Sequence, residues 1–491
     1  MTEVRILVIQ LARLGDTLQS LMALKAAKKL YPQLKIHFVA RTKFAQAAAH
    51  VDWLDGLYFF PSEEILGPIL NGKKTKREML PELASWIEKI AAQKWDIVLN
   101  WTYSPASSYL PAFLQAPIKL GYNRALDGSL MCTDGWSQYI MGVVQGQVRQ
   151  NIHLTDILTT QLLTALQIHV GEPVDAGEAA VTSKDFFKLG STNLKVMEQI
   201  LKSRRRVAIQ IGAGRSDKIW PATQWARLVE TILNRHPEWG IVILGGRDER
   251  KLEEEFWNEL QCNLRDRRRV ASAVGQCTFD QWVDLVRHCQ WVIAGDTAVI
   301  HLASLVGTRV LNLSYGDVRA EETGPYGNGH YVIKTSSTAQ ELSAEAVYAA
   351  WSYASSEWYT ERADSISEHF ENLGCRYLLK DTQVYRSRIR PVDQGGGVVY
   401  EPLVEQSLTL ETWLSMVMGH VARDWYCGWS PAVGAEIKRE ALDSKMIQAL
   451  RQISESIPVF NKVCVEAMAT CQRLHDIASC SGGVLNNAQH R

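Results

Sequence analysis

Residues 294–313, AGDTAVIHLASLVGTRVLNL, constrain the fold of this chain more than any other stretch. The apolar run Trp291-Val292-Ile293 predicts a buried strand that ends at Gly295-Asp296-Thr297. Apolar residues then recur at helical spacing through Val299, Leu302, Ala303 and Val306 until Gly307 stops the helix and a β-branched strand follows. A helix that opens from the carboxyl edge of a parallel strand presents unpaired N–H groups and the positive end of its dipole, so the turn can receive an anion. Asp296 and Thr297 project there, and His301 lies one turn further along the same face. Capping is the ordinary use of such an Asp-Thr pair. A second turn of the same kind, IGAGRSDKIWP at 211–221, also follows a strand and opens a helix, which strengthens the ligand reading.

The same alternation runs through the first 345 residues. Strands are expected at 5–11, 35–40, 56–60, 96–101 and 118–122, with a turn at Leu14-Gly15-Asp16-Thr17, helices at 78–93 and 153–168, and a basic loop at 71–77. After a weakly patterned linker at 170–200, strands return at 207–211, 241–244, 269–274, 291–294 and 309–313, separated by helices at 222–235, 249–260, 279–289 and 297–306. The pattern predicts an α/β protein with two tandem Rossmann-like, doubly wound domains, residues 1–170 and 180–345, enclosing a ligand in the cleft between them. Residues 346–491 read as a mainly α-helical C-terminal extension: helical at 341–372, a loop or hairpin at 381–402, and amphipathic helices near 407–426, 435–456 and 459–479.

Composition narrows the function. Lys+Arg and Asp+Glu both number 53, so no overall field draws the chain to nucleic acid. Nine cysteines without a C-x-x-C pair fit a reducing cytoplasm better than a disulfide or zinc framework. Cys464, Met468, Cys471 and His475 share one helix face, which is read as core and not as a metal site. Glu3, Arg5 and Arg13 interrupt the first apolar run, which is a strand and not a secretion signal. The longest uncharged run, 97–118, holds Pro105, Pro111 and Pro117 and is a poor membrane span.

Five segments together resemble the signatures of family 9 glycosyltransferases, which include the ADP-heptose:lipopolysaccharide heptosyltransferases. They are LGDTLQSLMALKAAKKLYP near the start, IGAGRSDKIWPATQWARLVETI, VILGGRDER, GDTAVIHLASLVGTRVLNL, and GPYGNGH at 324–330. The resemblance covers residues 1 to about 350. It implies a GT-B fold and an inverting transfer needing neither metal nor cofactor. The donor, a nucleotide sugar such as ADP-heptose, would be held by the second domain. The acceptor, a lipopolysaccharide core or other lipid-linked or surface glycan, would be held by the first, in a cytoplasmic enzyme able to touch the inner membrane peripherally.

Residue by residue, the resemblance makes Asp16 the base for the acceptor hydroxyl, with Gly15 allowing close approach. Lys218, framed by Gly212 and Gly214, matches the phosphate-contacting lysine, and Thr297, Ala298 and His301 match the segment that receives the diphosphate. Asp296 would orient that turn or touch the donor sugar. Asp248 or, by preference, Glu249 would bind ribose hydroxyls. Lys73, Lys74, Lys76 and Arg77 correspond to a region facing the acceptor. The chain departs from the family at Ala298, usually glycine, at Met22, near a usual proline, and at Ser314-Tyr315-Gly316-Asp317. These departures bear on the sugar more than on the reaction. Other readings are a transferase acting on a protein acceptor, with the extension as docking module, and a non-catalytic glycan-binding or scaffold protein. A nicotinamide oxidoreductase is disfavoured, because no G-x-G-x-x-G follows the first strand.

Overall fold

The computed structural model of the chain describes residues 3–146, 152–172, 186–188, 198, 203–262, 264–357, 365–380, 382–389 and 397–403, all within one compact unit. The first sheet comprises β1 (Val4–Gln10), β2 (Leu34–Arg41), β3 (Gly56–Phe60), β4 (Ile97–Asn100) and β5 (Ile118–Gly121), parallel throughout in the order β3-β2-β1-β4-β5. The second holds β6 (Arg205–Gln210), β7 (Trp239–Leu244), β8 (Val270–Ser272), β9 (Trp291–Ala294), β10 (Arg309–Tyr315) and β11 (Tyr331–Thr335), parallel in the order β11-β10-β9-β6-β7-β8. In each sheet the order in which the strands are laid down reverses once, between β1 and β4 and between β6 and β9. Open α/β sheets place ligands at such crevices, outside the carboxyl ends of the strands. Central strands β4, β7 and β9 are buried along their whole length, as the continuous apolar runs IVLN, WGIVIL and WVIA require of strands covered on both faces.

The lobes are not merely adjacent. Helix Leu14–Leu30 is buried without interruption from Thr17 to Leu24, because it packs on helix Leu154–Val170 and, across the lobe boundary, on helix Ala298–Leu305. Leu18, Leu21 and Met22 thereby share one apolar cluster with Val299, Ile300 and Leu302. Polar contacts reinforce the junction. The Tyr326 hydroxyl donates to Asp156 Oδ1 at 2.6 Å, the Val398 N–H to Asp156 Oδ2 at 3.0 Å, and His153 Nε2 lies 3.0 Å from the Gly324 carbonyl.

The segment expected as a loop or hairpin is an antiparallel hairpin, β12 (Thr382–Ile389) and β13 (Val398–Pro402), which extends the second sheet beyond β11. Helix Ala344–Glu357 packs on helix Ala222–Arg235, and Trp351 meets Trp239 edge-on at 5.1 Å, so the second lobe's core continues past residue 345. Among the helices longer than one turn in the described residues, Ser62–Leu70 and Gly135–Gly146 escape the sequence pattern. The helix expected from residue 78 starts at Lys76, because Thr75 and Glu78 form a reciprocal capping box. Lys76 and Arg77 are therefore helical and only Lys73 and Lys74 lie in the turn. The helices expected at 407–426, 435–456 and 459–479, with Cys464, Met468, Cys471 and His475, lie outside the described residues.

Candidate functional site

At the end of β1 the chain turns at Arg13 into its first helix, and Asp16 occupies the third helical position. Its Oδ2 accepts the Arg13 N–H at 3.1 Å, so the capping role is real. The same geometry holds the carboxylate at the carboxyl edge of the sheet. Burial raises its pKa above the ordinary 3.8, opposed by the Arg13 N–H and guanidinium and assisted by the negative charge of Asp296. Asp296 belongs to the other lobe. Gly15 shows how near that lobe comes: a Cβ there would stand 3.2 Å from His301 Cδ2 and 3.9 Å from Ala298 Cα.

On the second lobe, the turn after β6 ends in one 3₁₀ turn, Ser216–Lys218, and the turn after the neighbouring β9 carries Asp296. Lys218 Nζ and Asp296 Oδ2 meet at 2.5 Å, joining the two turns across the switch point. The Tyr315 hydroxyl, from the end of β10, donates to the Lys218 carbonyl at 2.6 Å and holds that turn from behind. Gly295 leaves room for it, since a Cβ there would lie 2.8 Å from the Tyr315 oxygen. Thr297 caps helix Ala298–Leu305 in extended conformation, yet its hydroxyl makes no capping bond and is buried without a partner. One turn on, His301 Nδ1 is likewise buried and unpartnered. Burial pushes the imidazole pKa down to about 4, against the pull of Asp296, so the ring is neutral near pH 7. Two orphaned polar groups in one turn are what a bound polar ligand would satisfy.

Beside these turns lies a cavity of about 330 Å³, lined from the first lobe by Leu14 and Gln46 and from the second by Gly212, Gly214, Glu249, Trp282, Thr297 and Ala298, among others. Glu249 forms part of its wall. Its Oε2 accepts from Gln210 Nε2 at 2.9 Å and from the Gly246 N–H at 2.7 Å, while burial raises its pKa. A side chain at Gly212 would overlap this carboxylate. Of the two acids left open by the sequence, Asp248 is exposed and Glu249 lines the cavity.

The structure thus brings Gly15, Asp16, Asp296, Ala298 and His301 together across the lobe boundary, links Lys218 to Asp296, and places Gly212, Gly214, Glu249 and Thr297 around the adjoining cavity. It does not bring Lys73, Lys74, Lys76 or Arg77 there. They are exposed, and the Lys74 ammonium pairs with Glu82 of the helix that follows it at 3.4 Å. Sequence reasoning missed Gln210, Cys277, Phe279 and Trp282, which line the cavity, and Tyr315. A polar residue ending an apolar strand and the Cys277-Thr278-Phe279 turn after β8 were the available signals, because every strand-to-helix turn of a parallel sheet opens on one edge. Among the described residues no three His, Cys, Asp or Glu side chains are grouped to hold a metal ion, and no helix is long and apolar enough to cross a membrane.

Comparison with known proteins agrees with this architecture. The lipopolysaccharide heptosyltransferase 1 of Campylobacter coli is 20% identical over 308 residues, spanning 61% of this chain and 80% of that protein. The structure of a family 9 glycosyl transferase from Veillonella parvula superposes with a TM-score of 0.56 at 19% identity, covering 73% of this chain and 98% of its own. The E. coli heptosyltransferase WaaC with ADP gives 0.53 at 15% identity, covering 72% and 100%. Both likenesses establish the two-lobed GT-B fold. The profile of glycosyltransferase family 9 (heptosyltransferase) matches residues 83–351, more than half of the sequence, and with that match the chain belongs to glycosyltransferase family 9 and is a glycosyltransferase.

Proposed function

We propose that the protein transfers a heptose from ADP-heptose to a lipopolysaccharide core or closely related lipid-linked glycan, by single inverting displacement and without a metal ion. The observation that carries the reading is the closeness of the two lobes at the Asp16 turn: a Cβ on Gly15 would stand 3.2 Å from His301 Cδ2 and 3.9 Å from Ala298 Cα, and the charge of Asp296 bears on the Asp16 carboxyl. Inversion needs a base on the face opposite the leaving group, and opposite lobes supply opposite faces. Asp16 is that base, its raised pKa making it a stronger proton acceptor. The departing diphosphate meets Lys218, the N-terminal peptide groups of helix Ala298–Leu305, the Thr297 hydroxyl and the neutral His301 ring, which can donate a hydrogen bond without carrying charge. In the free enzyme Lys218 is already paired with Asp296, so it is held in place before donor arrives. Glu249 accepts the ribose hydroxyls, and Trp282 lies in the same cavity for the base. The names of the curated relatives support the choice of sugar and acceptor.

The reading is tested by incubating the purified protein with ADP-heptose, other nucleotide sugars, and a heptose-deficient lipopolysaccharide acceptor, with and without a chelator. Heptosylated product of inverted anomeric configuration, formed equally in chelator, is expected. Transfer only from another donor, retention of configuration, or loss of turnover in chelator would contradict it.

A further inference from the structure

The strand that leads to Asp16 ends in a buried glutamine. β1 runs through Ile6, Leu7, Val8 and Ile9 before Gln10, which is 3% exposed. Past the strand, three successive N–H groups need acceptors as the chain turns toward its first helix. Each meets a side-chain oxygen. The Leu11 N–H donates to Thr102 Oγ1 at 2.6 Å, the Ala12 N–H to Gln10 Oε1 at 3.1 Å, and the Arg13 N–H to Asp16 Oδ2 at 3.1 Å. The Gln10 amide nitrogen donates in turn to Ser20 Oγ at 3.2 Å and to the Trp101 carbonyl at 3.4 Å. Ser20 Oγ donates to the carbonyl of Asp16 itself at 2.8 Å. One side chain therefore reaches Asp16 by two routes, through the turn before it and through the helix behind it.

The second lobe repeats the arrangement. β6 also ends in a buried glutamine at the switch point of its sheet, and Gln210 Nε2 donates to Glu249 Oε2 at 2.9 Å. An amide so enclosed has no water to fall back on, so its bonds hold it and whatever it binds in one place. We propose that Gln10 is a positioning residue for transfer: it fixes the turn at 11–13, and with it the Asp16 carboxylate, without touching either substrate. The role assigned to Gln10 rests on Asp16 being the base. Losing the Gln10 amide would free the Ala12 N–H, loosen the turn and weaken the Arg13 N–H bond that favours the ionised carboxyl.

Gln10→Met keeps the length and bulk of the side chain and removes both amide partners; it is made in the native chain and together with Asp16→Asn. In the native background kcat should fall about tenfold while affinity for ADP, by calorimetry, stays within about twofold. The acid limb of kcat/KM should move up by about half a pH unit, since Arg13, Asp296 and His301, the charged and titratable groups beside Asp16, are unchanged and only the amide bond is weakened. In the Asp16→Asn background the same substitution should alter the residual rate by less than about twofold. Hydrogen exchange at amides 11–13 should quicken while that of β2 does not. Ser20→Ala cuts only the route through the helix, which accepts alanine readily, and should lower kcat about threefold; it carries the test if Gln10→Met fails to fold. Native kcat and an unmoved acid limb in Gln10→Met, or native kcat in Ser20→Ala, beside an inactive Asp16→Asn would overturn the role of Gln10 and leave the base in place. An equal loss in the Asp16→Asn background would make Gln10 a structural residue only. Native turnover by Asp16→Asn alone would remove the base and the role of Gln10 together.

Discussion

Tyr315 ends β10 behind the turn that carries Lys218. Its hydroxyl anchors the Lys218 carbonyl. Tyr315→Phe removes one hydrogen bond of about 1 kcal/mol, so the KM for donor should rise several-fold with kcat nearly constant, read by steady-state kinetics. Asp16 could be singled out from sequence because the Leu14-Gly15-Asp16-Thr17 turn comes after the first apolar strand and matches a family signature. Its capping bond to Arg13 shows why local pattern alone left two roles open: the position serves both. The buried histidines give a pH signature. His301 and His330 both have pKa values lowered to about 4 by burial, against 6.5 when exposed in the unfolded chain. Between those values the unfolded chain binds more protons, so stability is complete above pH 6.5 and is lost as pH falls toward 4. Urea midpoints across that window should fall steeply, and His330→Gln should flatten the decline; a pH-independent midpoint would refute the assignment.

Among elements, the strand-to-helix turns carry the site, and their glycines are spatial requirements. Gly212 lies where any Cβ would displace the Glu249 carboxylate from its bonds to Gln210 and the Gly246 N–H. Gly212→Ala and Glu249→Ala should therefore weaken nucleotide binding by similar factors, about tenfold or more by calorimetry. An affinity loss in one but not the other would separate them. The regular alternation was legible wherever strands were continuous and apolar, as in β7 and β9. Helix Ser62–Leu70 was not, because Gly67 and Pro68 inside it argue locally for a loop and only Ser62 and Ile65 are buried to give it a period. The start of the next helix was available in Thr75-x-x-Glu78, and the run of cations across it obscured the cap.

At the scale of the molecule, the site exists only because two lobes share a core. Periodicity could forecast two sheets but not that Leu18 and Leu21 would pack with Val299 and Leu302, since contacts so distant in sequence leave no local trace. The Asp156 carboxylate, held by Tyr326 and Val398, reinforces the junction. Asp156→Ala strands two buried donors and should cost about 2–3 kcal/mol in denaturant unfolding. The central claim is that the first lobe supplies the base while the second holds the donor. It is tested most directly by measuring, on one Asp16→Asn preparation, both donor affinity and transfer rate. Donor affinity within twofold of the native protein, with kcat down about 10²–10⁴-fold, is the predicted result. Native turnover by that variant would contradict the account.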